Sequence, residues 1–221
     1  MGKRKFDTCF FERYAKATLQ ALLGEEYADL VNEDRPDLQK LDMSLGIEVT
    51  RAMEPSKDTA QAMLKEMAGL DVKEMAGADV KEEDREEVDQ IIKSGYAYGL
   101  QEGRYIGSLE YEYWRLAHPL RRIIESKVSK VGSGFYGNFE EYGLYIFCKD
   151  DLTEEEVNLT MEYTSDLQRN LDIKYSKMYL SLIDRLYVCD LTQVDRILKP
   201  TTCSKYDISK TLRKEFFLKS I

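Results

Sequence analysis

The chain has 221 residues, 43% hydrophobic and 33% charged, enough apolar material for the core of one sizeable domain or of a domain carrying an insertion. No apolar run approaches the roughly 18 residues that a membrane helix needs, and the basic start Met1-Gly-Lys-Arg-Lys-Phe-Asp7 lacks the apolar stretch of a signal peptide. A net charge of −9 argues against a surface that is basic throughout, the form that phosphate-rich partners favour.

Residues 8–31 read as a helix, because Phe11, Tyr14, Ala15, Thr18, Leu19 and Leu22 recur at helical spacing, with Gly24 as a soft spot. Glu25 and Glu26 lie near its end. Residues 35–53 then read as a β-hairpin: alternating residues flank a short polar segment, and Pro55 closes the strand region. A reversal centred on Asp42-Met43 sets Asp37 opposite Glu48, where Cβ atoms of paired residues are about 5 Å apart. Strand alternation adds Thr50 to that face and turns Leu38, Ile47 and Val49 to the other. Two carboxylates so close are costly unless neutralised, and a divalent cation with oxygen ligands neutralises them. The plainer reading is a pair of solvent-facing acids that repel by a few tenths of a kcal/mol.

Residues 56–94 read as an inserted helical segment carrying 12 acidic and six basic side chains between residues 54 and 95. Within it, Lys65-Glu-Met-Ala-Gly-Leu-Asp-Val72 is followed at once by Lys73-Glu-Met-Ala-Gly-Ala-Asp-Val80. Two copies are too few for a solenoid, so the repeat reads as a duplicated surface loop ahead of a helix from Glu82 to Lys93. The following stretch is rich in Gly and Tyr, but neither the Walker lysine nor GxGxxG spacing is present. Tyr96, Tyr98, Tyr105, Tyr111 and Tyr113 have the chemistry to stack on bases, although such tyrosines more often pack at a core edge with the hydroxyl wet.

His118-Pro119 opens an amphipathic helix through Leu120, Ile123, Ile124, Lys127, Val128 and Val131. Residues 113–130 hold five basic side chains and one acidic, so a basic face is available here despite the acidic total. His118 is the only histidine, and no Gly-x-Ser-x-Gly elbow exists to pair with it, which argues against a Ser-His-Asp hydrolase. Residues 142–148 form a buried strand, and Thr153 caps a helix that runs to about Leu171 with acids in its first turn. Residues 177–183 and 185–190 are two more strands, followed by a basic, partly helical tail. Cys9, Cys148, Cys189 and Cys203 show no CxxC spacing and no zinc-ribbon pattern. Several lie in apolar surroundings where free Cys behaves as a small hydrophobe, which points to a reducing cytoplasm.

The order helix, hairpin, basic amphipathic helix, strand, helix, strand, with Pro36-Asp37 and Gly46-Ile-Glu48-Val-Thr50 in the hairpin, resembles the PD-(D/E)xK nuclease superfamily. The resemblance spans most of the chain in outline, on short motifs. It implies a single α/β domain over residues 1–221 with a restriction-endonuclease-like mixed central sheet flanked by helices, the 56–94 insertion within it, and hydrolysis of DNA or RNA. Asp37 and Glu48 would hold Mg²⁺ or Mn²⁺, and Glu25 matches the extra helix acid of many members. Thr50 stands where the family has its lysine; Arg51 points to the opposite face, and Lys127 and Lys130 are the candidates to replace it. Many enzymes of this fold cut two strands as dimers, so the resemblance leaves a homodimer open.

Three functions follow, from different classes. One is a metal-dependent phosphodiester hydrolase. Another is a catalytically inactive module of the same fold that binds nucleic acid or a protein, a reading that Thr50 and the acidic total favour. The last is an interaction protein whose acidic insertion docks a basic partner. A lysine within reach of Asp37 and Glu48 discriminates the first from the others.

Overall fold

The computed structural model describes residues 10–52, 100–101, 104–105, 119–148, 151–192 and 203–220. The 56–94 insertion with its tandem repeat, His118, Cys9, and Tyr96, Tyr98, Tyr111 and Tyr113 lie outside these residues.

The first helix, α1, spans Phe10–Leu23 and buries Phe11, Tyr14, Ala15, Thr18 and Leu19, the stripe that its spacing predicts. It stops well before residue 31. Gly24 has φ 113°, a backbone conformation open to glycine, and its N–H still bonds Gln20 O at 3.1 Å. A single 3₁₀ turn at Glu25–Tyr27 follows, and the chain becomes extended at β1, Val31–Asn32.

Strands β2 (Leu38–Gln39) and β3 (Leu45–Ala52) pair antiparallel, Leu38 opposite Ile47 and Gln39 opposite Gly46, as a reversal at Asp42-Met43 requires. Asp42 makes that turn, its Oδ1 accepting from Ser44 N at 3.0 Å and Ser44 Oγ at 2.6 Å. The hairpin is shorter than expected, because regular pairing on the β2 side ends at Leu38 and leaves Asp37 outside the ladder. Short strands β4 (Leu100–Gln101) and β5 (Arg104–Tyr105) form a separate two-stranded ribbon.

Helix α2 (Pro119–Gly132) leads to β6 (Glu141–Cys148), which lies parallel to β3 along its whole length. Residues 142–148 are buried throughout, as expected of a central parallel strand covered on both faces. Helix α3 (Glu154–Leu167) starts on a reciprocal cap: Glu156 N donates to Thr153 Oγ1 at 3.2 Å and Thr153 N to Glu156 Oε2 at 2.8 Å. It ends at Leu167, four residues short of the expected Leu171, and the side chain of the next residue, Gln168, bonds Tyr175. Thr153→Ala should lower stability by about 1 kcal/mol, measurable as a shift in the urea midpoint.

Strand β7 (Lys177–Ser181) runs parallel to β6, and β8 (Arg185–Asp190) and β9 (Cys203–Asp207) complete the sheet antiparallel. Helix α4 (Lys210–Ser220) ends the described chain. The seven-stranded mixed sheet has the order β1-β2-β3-β6-β7-β8-β9. Alternation sorts its side chains into two cores. Leu38, Ile47, Val49, Tyr145, Phe147 and Tyr179 meet α1 and α4 on one side, where Phe10 and Phe217 pack edge to face at 5.4 Å. Ala52, Leu144, Ile146, Met178 and Leu180 meet α2 and α3 on the other. The result is an α/β architecture of helices on both faces of a mixed sheet.

The cysteines divide. Cys148 is a buried thiol, as its apolar neighbours suggest, but Cys189 and Cys203 sit directly opposite on β8 and β9 and are disulfide-bonded. The expectation of free apolar thiols fails for this pair because β9, unread in the tail, brings the two residues together. Among the described residues no helix is long and apolar enough to cross a membrane.

Candidate functional site

Because β2 stops at Leu38, the N–H of Val49 has no strand partner on that side. Asp37 supplies one: its Oδ2 accepts from Val49 N at 2.7 Å. A strand register thus becomes a side-chain position, with the carboxylate drawn along the edge of β3 beside Glu48. The segment before it is held by Glu33 N bonding Asp37 O at 3.0 Å and by Gln39 Nε2 bonding Pro36 O at 2.9 Å. Gly46 makes this approach possible, since a Cβ there would lie 2.6 Å from Pro36 Cγ and 3.0 Å from Phe139. Gly46→Ala should therefore push Pro36 and Asp37 away from β3 and cost about 1–3 kcal/mol; matched chemical denaturation of the two proteins measures it.

Glu48 is directed to the α2 side of the sheet and is 7% exposed. There it meets Lys127 from the middle of α2, with Nζ to Oε1 at 2.5 Å. The two side chains are 9% and 15% exposed, respectively, so the pair is largely removed from water. Burial makes such a pair depend on good geometry, because each charge has lost its hydration.

The position of Lys127 is itself supported. Tyr175, 1% exposed, donates its hydroxyl to Lys127 O at 3.2 Å. Gln168 clamps Tyr175 by its backbone: Tyr175 N donates to Gln168 Oε1 at 3.0 Å, and Gln168 Nε2 donates to Tyr175 O at 2.8 Å. Tyr136 is buried beside Glu48 and Tyr175, and burial first, then the Glu48 charge, pushes its phenol well above the ordinary range. Glu48 and its lysine thus sit in a largely buried recess, with Tyr136 beside Glu48 and Tyr175 bonded to the Lys127 backbone.

Asp37 has a carboxyl pushed up to about 7. Burial is the largest cause and the neighbouring Glu48 the next; the Val49 N–H opposes both, Glu12 raises it further, and Lys127 opposes. Like charges in a poorly solvated place disfavour ionising both. A second negative charge beside Glu48 is therefore disfavoured unless a further cation joins the site.

The sequence-derived residues divide as follows. Asp37, Glu48 and Lys127 come together from three separate elements. Lys130 does not join them: it lies one turn further along α2, is exposed, and holds its ammonium 5.4 Å from the ring centre of Phe135. Glu25 is exposed in the 3₁₀ turn, outside the helix in which it was expected, and the acid whose charge acts on Asp37 is Glu12 of α1. The reason is helical phase: Glu12 adjoins the buried stripe of Phe11 and Ala15, whereas Gly24 ends that stripe before residue 25. Thr50 is half-buried on the strand alternation of Glu48, and Arg51 turns away to lie 5.0 Å over Phe11 on the opposite face.

No family model, curated protein or solved structure matches this chain. Its chemistry has to be argued from the site alone. Among the described residues no group of three or more His, Cys, Asp and Glu side chains is gathered in a form that would enclose a metal. Mg²⁺, however, is commonly held by one or two carboxylates, with water and substrate phosphate completing its shell. Two adjoining carboxylates, one of them reluctant to ionise without a cation, fit that requirement.

Proposed function

We propose that the chain is a divalent-metal-dependent phosphodiester hydrolase of restriction-endonuclease-like fold, acting on DNA or RNA. The observation that carries this reading is the convergence of Asp37, Glu48 and Lys127, three groups from a loop, a strand and a helix, in one recess. Asp37 and Glu48 would hold Mg²⁺ or Mn²⁺, with Glu12 of α1 acting on Asp37 through its charge alone. A metal bound there supplies Lewis-acid polarisation of a phosphoryl oxygen and a lowered pKa for water.

The chain's own residues do the rest. The Val49 N–H keeps the Asp37 carboxylate at the edge of β3, so that its direction does not depend on a flexible rotamer. Lys127 stands where its ammonium can donate to an oxygen of the phosphoryl group as charge develops, the term that contributes most in transfers of this kind. It thereby substitutes for the lysine that Thr50 lacks. The recess walled by Tyr136 and Tyr175 limits water around these charges and strengthens them.

A second reading keeps the fold and drops the reaction. It is favoured by the same ion pair: Lys127 already neutralises Glu48, and a silent site would be stable as it stands. Cleavage assays decide between them. With Mg²⁺ or Mn²⁺ and mixed single- and double-stranded DNA and RNA, the wild type should cut, and Asp37→Asn and Glu48→Gln should each lose at least about 100-fold. Wild-type protein that binds these polymers without cutting them selects the silent module.

A further inference from the structure

The surface bordering the recess carries an exposed aromatic between two cations. Phe135 is 45% exposed, one of the few large apolar side chains facing water among the described residues. Gly134, at φ 73°, turns the chain at the end of α2, and Phe135 N bonds back to Lys130 O at 3.2 Å, so the ring stands out from the helix terminus. Arg35 lies over the ring, its guanidinium carbon 5.0 Å from the ring centre, and Lys130 lies over it with its ammonium nitrogen at 5.4 Å. A base stacking on the ring therefore takes the place of one of these cations, which is freed for phosphate. The ring is braced from below by Tyr136, edge to face at 5.4 Å.

Each of these residues is a close neighbour of a recess group. Arg35 is two residues before Asp37, Lys130 is one helical turn beyond Lys127, and Phe135 adjoins Tyr136, which lies beside Glu48. The spatial link is Tyr136, whose ring meets Phe135 at 5.4 Å and whose hydroxyl feels the charges of Glu48 and Asp37. The positive charge of the cluster is local, since the chain as a whole is at −9. Arg35 pairs with Asp34 at 3.4 Å, both well exposed. Such a pair is worth little, and a phosphate can replace it.

We propose that Arg35, Phe135 and Lys130 form a stacking platform for an unpaired base of single-stranded DNA or RNA, which sets the neighbouring phosphodiester at Asp37, Glu48 and Lys127. This rests on the hydrolase reading and gives it a substrate class. A base in a duplex has both faces covered by its neighbours; only an unpaired base offers a face to an aromatic ring or a guanidinium plane. The two cations supply the phosphate contacts that hold a strand without reading its sequence. Lys130, which does not reach the carboxylates, thereby acquires a role.

The test is binding of short labelled single strands, DNA and RNA separately, and of a matched hairpin duplex, followed by fluorescence anisotropy in EDTA so that no turnover is needed. Wild type should prefer single strands to the duplex. Phe135→Ala should weaken single-strand binding roughly tenfold, leave duplex binding unchanged, and keep the wild-type melting temperature because the ring is exposed; Phe135→Trp should restore affinity. Arg35→Gln and Lys130→Gln should each flatten the dependence of log affinity on log salt by about 0.7. Single-strand affinity that Phe135→Ala changes by less than about twofold, or equal affinity for the duplex, overturns the platform. Phe135-dependent binding in a protein that never cleaves overturns the hydrolase reading and leaves the platform standing. Cleavage that needs Asp37 and Glu48 but ignores Phe135 overturns the platform alone.

Discussion

Lys127→Met should destabilise the protein by about 3–5 kcal/mol at neutral pH, because it removes one partner of a buried ion pair and keeps the other. Glu48 would then sit 7% exposed, next to a second carboxylate, with no cation to offset it. Methionine keeps most of the lysine stem's packing, so the loss measures charge rather than a cavity. The double variant Lys127→Met/Glu48→Gln should recover most of the stability, since no net charge remains to be desolvated. Urea titration of the three proteins reads this directly. A single variant within about 1 kcal/mol of wild type would mean that the pair is hydrated in solution and not the anchor described here. Activity should not follow this recovery. Both the single and the double variant should lose the proposed hydrolysis by about 100-fold or more, as expected when a donor to developing charge is removed.

Asp37→Asn should stabilise the protein above pH 7 and do little near pH 4. The folded-state carboxyl is pushed up to about 7 from an ordinary 3.8, by burial first and by Glu48 second. Between those values the folded chain holds a proton that the unfolded chain has released, so stability falls as pH rises through this window and levels off beyond it. Asparagine carries no such penalty, and its side-chain oxygen can still accept from Val49 N. The full shift corresponds to roughly 4 kcal/mol. Part of the carboxyl meets water, and screening reduces the gain to on the order of 2 kcal/mol. Melting curves in EDTA from pH 4 to pH 8 should converge at the acid end and separate at the alkaline end. Mg²⁺ should then raise wild-type stability by about 2.7 kcal/mol at a hundredfold excess over its Kd and leave Asp37→Asn unmoved. A variant that tracks wild type at every pH would show that Asp37 ionises normally and that the site holds no surplus of charge.

The helices on either side of the sheet and the core strand residues 142–148 were legible from periodicity and apolar run length alone. So was the pairing of Leu38 with Ile47, because a two-residue period and one polar turn leave little freedom in register. Glu48 and Lys127 could be nominated, the first from its place on an alternating strand and the second from a basic helix. Other features were not legible. Asp37 belongs by register to the face of Glu48, but its carboxylate reaches that place as a cap on Val49 N–H, a consequence of where β2 ends. Glu12 rather than Glu25 acts on Asp37 because Gly24 stops α1, and helical phase relative to a sheet edge is a property of packing. Strand β9 and the Cys189–Cys203 bond were hidden in a polar tail whose partner, β8, is distant in the local pattern.

By itself, then, the sequence determined most of the helices and core strands, the hairpin register and the candidate residues Asp37, Glu48 and Lys127, all set by interactions within a few residues. Only the tertiary structure decided which of two lysines reaches the acids, which helix acid acts on Asp37 through its charge, and that Arg35 and Lys130 meet over Phe135. Those choices depend on where α1 and α2 lie against β3, and that is settled by the two apolar cores on either side of the sheet.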